Sequence, residues 1–214
     1  MQVLQFTEHE DWLNARKTRI TGSRLKNVLT LRGDGKKKDF YDLIAERMEL
    51  PKTDENPMDR GHRLEPIALD LFSKETGKKI DNSFVMWVRD DDVSIGVSPD
   101  GVVVEEDGTV SATEILFAGP EEAVEVKCLD GGRHIEALLT GMPNDYKFQV
   151  YQYFIVNDNL KTLYMVFYNP RLIAKQLHWL EIKREDVEDK VRLYHQEQRN
   201  IIAQVEEIVT SLTF

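Results

Sequence analysis

The sequence predicts an α/β fold in which a central mixed β-sheet is flanked by helices, and three observations carry that expectation. Helix-spaced apolar residues dominate the first 76 positions. Short strand-like runs then cluster between residues 83 and 126. Further helices follow, with one apolar strand returning at 162–168. Helices on either side of such a cluster bury their apolar stripes against one shared sheet. With 214 residues, 41% of them hydrophobic, the chain can bury one substantial core. A single domain over 1–214 is expected, divided into a helical segment at about 1–57, a core at about 58–170 and a C-terminal helix at about 184–213.

Taken in order, residues 12–17 and 21–31 read as short helices, the second opened by Thr21 or Ser23, whose hydroxyl can accept from a first-turn amide. Gly33 and Gly35 make 32–38 a basic loop. Phe40, Leu43, Ile44 and Arg47 return to helical spacing in a segment, 40–48, that stops before Pro51. In 58–76, Leu64, Ile67, Ala68, Leu71 and Phe72 share one side of a helix closed by Gly77. Pro66 lies inside it and either kinks it or marks its true start. Strands are expected at 83–88, 93–97, 101–105 and 123–126, while 109–120 is ambiguous between strand and loop. Helices at 132–141 and 145–156 and a strand at 162–168 come next. A long amphipathic helix then runs through Val187, Val191, Tyr194, Ile201, Val205, Ile208 and Leu212. That stripe is wide enough for core packing, and it could instead cover a subunit or partner surface.

Composition narrows the function. No run approaches the roughly 18 apolar residues of a membrane helix, and acidic residues stand among the first ten where a signal peptide would be basic and then apolar, so a soluble cytoplasmic protein without membrane association is expected. The single Cys128 can form neither an intramolecular disulfide nor a zinc cluster. A net charge of -10 argues against a protein that coats duplex DNA by bulk electrostatics. The charge is uneven, however. Basic residues from Arg16 to Lys38 crowd the first 40 positions, whereas 81–125 is rich in carboxylates and holds only Arg89 against them. A basic surface beside an acidic centre suits phosphate binding around divalent cations, which invert the local sign; on charge alone, a basic solvated face on an acidic globule explains it as well.

Three fragments carry chemistry: Gly61-His62-Arg63-Leu64-Glu65-Pro66, Ser98-Pro99-Asp100-Gly101 and Glu125-Val126-Lys127. On a strand, residues two apart share a face about 6.6 Å apart, so Glu125 and Lys127 project together while Val126 points into the core. With Asp100 reaching the same spot, two carboxylates and an ammonium converge. Such hard oxygen donors suit Mg²⁺ or Mn²⁺ better than zinc. A carboxylate-held divalent ion activates water and offsets phosphorane charge, a second ion about 3.5–4 Å away can stabilise the leaving oxygen, and Glu65 could complete the cage. Lys127 would orient the water or stabilise the charged transition state. Asp100 and Lys127 are expected to face a solvent-filled cleft. Singly, each fragment has an ordinary explanation: Asp100-Gly101 is a turn signal, Glu-X-Lys is common on exposed strand faces, and Glu65 beside Arg63 reads as surface charge. Their order along the chain is what distinguishes them.

In that order the sequence resembles the lambda exonuclease and YqaJ-like viral recombinase family of PD-(D/E)XK nucleases, from about Trp12 to Pro170. The resemblance implies a restriction-endonuclease-like core with a DNA-end-binding segment at its N-terminus. By the same likeness Glu65, Asp100, Glu125 and Lys127 are catalytic, and Gln149, in Tyr146-Lys147-Phe148-Gln149, positions the water or the scissile phosphate. Metal ligands would be Asp100, Glu125, the carbonyl of Val126, Glu65 and a further aspartate among Asp90, Asp91 and Asp92, with Asp90 or Asp91 favoured and Asp91 carried as the candidate. Arg16, with Ser23 as its helper, would bind a terminal 5′ phosphate. The resemblance further implies a Mg²⁺-dependent 5′→3′ exonuclease with two ions, Mn²⁺ being a possible substitute. It would act on double-stranded DNA ends, leave a 3′ single-stranded tail, form a homotrimeric ring and hand the tail to a single-strand annealing protein. A phage or prophage origin in a bacterial cytoplasm goes with it. A ring also meets the charge objection, since only its channel must be basic.

Two other readings use the same residues. A RecB-like or repair endonuclease would share the metal core without a preference for 5′-phosphorylated ends. A catalytically silent nucleic-acid-binding protein would keep the fold and release no nucleotides from linear duplex with Mg²⁺.

Overall fold

The computed structural model describes residues 8–16, 19–20, 27–28, 36–50, 55–104, 114–115 and 118–213. Its N-terminal helices are α1 (His9–Arg16), α2 (Lys38–Arg47) and α3 (Pro57–Thr76). The start of α3 follows from its first residues. The Asn56 side chain accepts from the Met58 amide at 2.8 Å, and Pro57 at the first helical position has no amide to leave unpaired. Pro66 therefore does not open the helix; it lies inside it, where its missing N–H leaves the His62 carbonyl without the usual helical donor. Gly77 ends α3 at φ 74°, its amide donating to the Ser73 carbonyl. The expected helix at 21–31 and loop at 32–38 fall almost wholly outside the described residues, as does most of 109–120.

The sheet has five strands in the order β1 (Ile80–Asp81), β4 (Gly101–Val103), β5 (Glu122–Cys128), β6 (Thr162–Tyr168) and β7 (Leu177–Lys183). All neighbours are antiparallel except β5 and β6, which run parallel in register from Glu122↔Thr162 to Cys128↔Tyr168. A parallel pair needs a crossover, here supplied by α4 (Gly131–Thr140) and α5 (Lys147–Val156). A separate hairpin, β2 (Trp87–Val88) with β3 (Gly96–Val97), stands between β1 and β4 in the chain. The long α6 (Arg184–Thr213) follows β7 directly. The mixed sheet and flanking helices are those expected. Strands β1 and β7 were not, and the runs at 83–88 and 93–97 contract to two paired residues each.

Side-chain alternation splits the core between the two faces of the sheet. Leu64, Ala68, Leu69 and Phe72 of α3 pack on Val124 and Val126 of β5 and on Tyr164, Val166 and Tyr168 of β6. Ala123, Leu163, Met165 and Phe167 point the other way, onto Val150, Tyr153 and Phe154 of α5. Helix α6 lies against α5 through Val191 and Ile202, a stacked Tyr151–Tyr194 pair with centroids 5.3 Å apart, and a Gln198–Gln152 hydrogen bond of 2.6 Å. Past Ile202, Val205, Ile208, Val209 and Leu212 stand exposed, so only the first half of the predicted stripe packs on this core. Among the described residues no helix is long and apolar enough to cross a membrane.

Candidate active site

Strand β5 alternates as its sequence requires: Val124 and Val126 enter the α3-side core, while Glu125 and Lys127 face the α5 side. Glu125 is 2% exposed. A carboxylate so deeply buried must be matched by donors, and three side chains supply them. Lys127 Nζ donates to Oε1 and is ion-paired with it, Gln149 Nε2 donates to Oε1 at 2.5 Å, and the Tyr153 hydroxyl donates to Oε2. Gln149 and Tyr153 are four residues apart on α5, which places both on the helix face toward the sheet. The Tyr153 oxygen also lies 3.2 Å from the Ser98 carbonyl, joining the Ser-Pro-Asp-Gly segment to the same point. Sequence reasoning missed Tyr153, which reads as one more core aromatic; its place one turn after Gln149 was the available signal.

The antiparallel register Gly101↔Val124 sets Asp100 across from this group. Asp100 Oδ2 accepts from the Val126 amide at 2.7 Å. Burial, and then the charges of Glu125 and Glu65, push the Asp100 carboxyl up to about 7 against the opposing pull of the Val126 amide and Lys127. Glu65, reaching in from α3, is raised as well, first by burial and then by Glu125, with His62 and Lys127 acting the other way. Three carboxylates thus share one field with one nearby ammonium, and the Lys127 ammonium also sits 5.5 Å over the Tyr146 ring. The expected solvent-filled cleft needs correction: Asp100 is half-buried and the Lys127 side chain is only 21% exposed.

Gly101 does more than turn the chain. It lies in β4 without a left-handed φ, and a Cβ there would come within 2.7 Å of Ile80 Cγ2 and 3.1 Å of Leu69 Cδ2. Close packing of β4 on β1 and α3 thereby fixes a glycine next to Asp100. Arg60 of α3 donates from Nε to the Cys128 carbonyl at 3.0 Å, tying the helix that carries Glu65 to the end of β5. Cys128 packs against the α3-side core, and burial pushes its thiol up to about 12.

The structure therefore brings together Glu65, Asp100, Glu125, Lys127 and Gln149. It does not bring Asp91 to them. Asp91 is in the turn of the hairpin, 2.6 Å from Arg89 Nε, and Arg89 and His195 hold its carboxyl below the usual range. Asp90 and Asp91 line a different cleft with Arg89, Asn157 and Asp158. Arg16 is the last residue of α1, and Ser23 lies outside the described residues.

As the side chains stand, no set of three His, Cys, Asp or Glu among the described residues forms a metal cage. A set of two carboxylates and a main-chain carbonyl does not need one. Asp100, Glu125 and Val126 provide that set, and Asp100 and Glu65, raised first by burial and then by the neighbouring carboxylates, are groups whose charge a hard divalent cation would offset. The donor chemistry fits such an ion.

Comparison with known proteins bears on the same residues. Two solved structures cover 95% of this chain and 99% of their own at 25% identity: an alkaline exonuclease from Laribacter hongkongensis, with a TM-score of 0.53, and that exonuclease in complex with dAMP, with a TM-score of 0.52. No curated sequence matches significantly. The YqaJ-like viral recombinase domain matches residues 11–159, a span that contains every member of the cluster from Glu65 to Tyr153. A match over more than half of the chain, on residues the fold gathers at one point, makes this protein a member of the YqaJ-like viral recombinase family.

Proposed function

We propose that this protein is a divalent-metal-dependent DNA exonuclease of the lambda exonuclease kind, hydrolysing phosphodiester bonds at the ends of linear duplex. The observation that carries the reading is the convergence of Glu65, Asp100 and Glu125 on Lys127 and Gln149. Asp100, Glu125 and the Val126 carbonyl would hold Mg²⁺, or Mn²⁺ in its place, with Glu65 available to a second ion. Bound there, the metal supplies an acidified water and neutralises charge on the phosphate.

The rest is the work of the chain itself. Gln149 and Tyr153 fix the Glu125 carboxylate from the helix side, so its orientation does not depend on the ligand. Lys127 brings a positive charge to the group, and its ammonium would stabilise a phosphate oxygen or hold the attacking water. Asp100, raised to about 7, keeps its proton more readily than an ordinary carboxyl and gives it up when a cation arrives. The similar Laribacter exonuclease was solved with dAMP, a mononucleotide of the kind that stepwise digestion releases, which supports an exonuclease over an endonuclease.

The family likeness also supports a reading of polarity and assembly. Digestion runs 5′→3′ and leaves a 3′ tail, Arg16 and Ser23 take the terminal 5′ phosphate, three copies enclose the duplex, and an annealing protein receives the tail. A timed digestion of linear duplex labelled at either end, with Mg²⁺ and with EDTA, tests activity and polarity together. Release of 5′ label only with Mg²⁺ is expected, and absence of any release would overturn the proposal. Arg16→Ala should erase the faster rate on 5′-phosphorylated ends; a preference that survives the substitution removes Arg16 from the 5′ site.

A further inference from the structure

Lys127 belongs to a row of side chains that crosses the sheet. The parallel register sets it beside Phe167 of β6, and the antiparallel register sets Phe167 beside His178 of β7, all on the α5 side. Phe167 is fully buried and stacked on His178, with centroids 6.2 Å and planes 22° apart. The Tyr146 ring packs on Phe167 at 6.2 Å with a 40° tilt. Tyr146 closes the short turn Asn144–Tyr146 that leads into α5, and its amide donates to the Pro143 carbonyl at 3.2 Å. The ring is thus fixed both from the sheet and from its own turn.

Over that ring stands the Lys127 ammonium, 5.5 Å from the centroid, with Glu125 as its ion-pair partner. The two contacts differ in kind. Glu125 takes a hydrogen bond from Lys127 and offsets its charge, and the same carboxylate is a proposed metal ligand. A ring face attracts an ammonium electrostatically within about 6 Å and carries no net charge to offset it. It holds the cation while leaving its N–H donors for the oxygen atoms of a phosphate or a water. Tyr146 is half-buried, which strengthens the attraction over that of an exposed pair.

We infer that Tyr146 is a positioning residue for Lys127, its ring face keeping the ammonium in the site independently of Glu125. The inference rests on the nuclease reading for the reaction that Lys127 serves. Because the ring acts through the ammonium and not on the DNA, it governs kcat and leaves KM alone. The Tyr146 hydroxyl has no part in it.

The test is steady-state digestion of linear duplex with Mg²⁺, paired with urea unfolding in EDTA, for Tyr146→Phe and Tyr146→Leu in the wild-type and Lys127→Met backgrounds. Tyr146→Phe keeps the ring and should stay within about twofold of wild type. Tyr146→Leu should lose about tenfold in kcat at unchanged KM, the effect of one partly desolvated cation–ring contact. In the Lys127→Met background the same substitution should change kcat less than about twofold, and its effect on the urea midpoint should shrink as well. Tyr146→Met replaces the leucine variant if that one does not fold. An equal loss of kcat in both backgrounds would overturn the assignment by showing that the ring acts through packing alone. Tyr146→Phe as impaired as Tyr146→Leu would also overturn it, by moving the role to the hydroxyl. Absence of hydrolysis in wild type would sink the nuclease reading instead, and the urea cycle would then decide whether the ring holds the ammonium.

Discussion

Replacing Lys127 with methionine keeps most of the length and volume of the side chain and removes its charge, which separates what the ammonium does for folding from what it does for chemistry. Breaking a fully buried ion pair costs about 3–5 kcal/mol. Here the cost is smaller. Glu125 retains Gln149 and Tyr153 as donors, and Lys127 is about one-fifth exposed, so a loss of roughly 1–3 kcal/mol is expected in metal-free buffer. Turnover should suffer more, by about 10²–10³-fold, the usual effect of losing one group that stabilises transition-state charge. The assay pairs urea unfolding in EDTA and in Mg²⁺ with nucleotide release from linear duplex. The variant site carries one positive charge fewer, so Mg²⁺ should recover part of the lost stability and narrow the gap to wild type. Turnover within tenfold of wild type, or a stability gap of the same size with and without Mg²⁺, would refute this account of Lys127.

Three further outcomes follow from the same geometry. Asp100 titrates near 7 when folded and near 3.8 when unfolded, so the stabilisation tied to its proton is complete below about pH 4 and is lost as pH rises through 7. Metal-free thermal stability should show that decline, the Mg²⁺-induced rise in Tm should grow with pH up to about 7, and Asp100→Asn should flatten both. Tyr153→Phe keeps the ring and removes one donor from Glu125, so roughly 1–3 kcal/mol of stability should be lost together with a measurable fall in kcat; equal urea midpoints for variant and wild type would show that the hydroxyl is dispensable. Gly101→Ala sets a methyl 2.7 Å from Ile80 Cγ2, and overpacking of about 1–3 kcal/mol should appear in urea unfolding, whereas a wild-type midpoint would mean that β1 yields freely.

Much of the site was legible because it depends on short-range periodicity. The two-residue period of β5 already placed Glu125 and Lys127 together, Gly77 marked the end of α3, and β6 announced itself as a continuous apolar run. Strand β7 was not legible. In Leu-His-Trp-Leu-Glu-Ile-Lys every residue is intermediate or exposed, as befits an edge strand paired only with β6, and that pairing is a long-range fact absent from local pattern. Asp91 failed for a related reason. Its proximity to the motif in sequence is real, but the hairpin turns it toward Arg89, and ion-pair choice is decided by the folded chain. For α3 the Asn56 cap and Pro57 set the start one residue before the expected 58, which leaves Pro66 inside the helix.

The clasp of Glu125 by α5 gives distant parts of the chain a hold on the chemistry. The helix that contributes Gln149 and Tyr153 is braced from behind by α6 through Tyr194 and Gln198. Shortening the C-terminus to before Tyr194 would take away that brace and let the carboxylate drift out of alignment, although no catalytic group had been cut. A tag fused after Leu212 lies beyond the braced stretch, which makes the far end of α6 the safer handle for immobilising the protein.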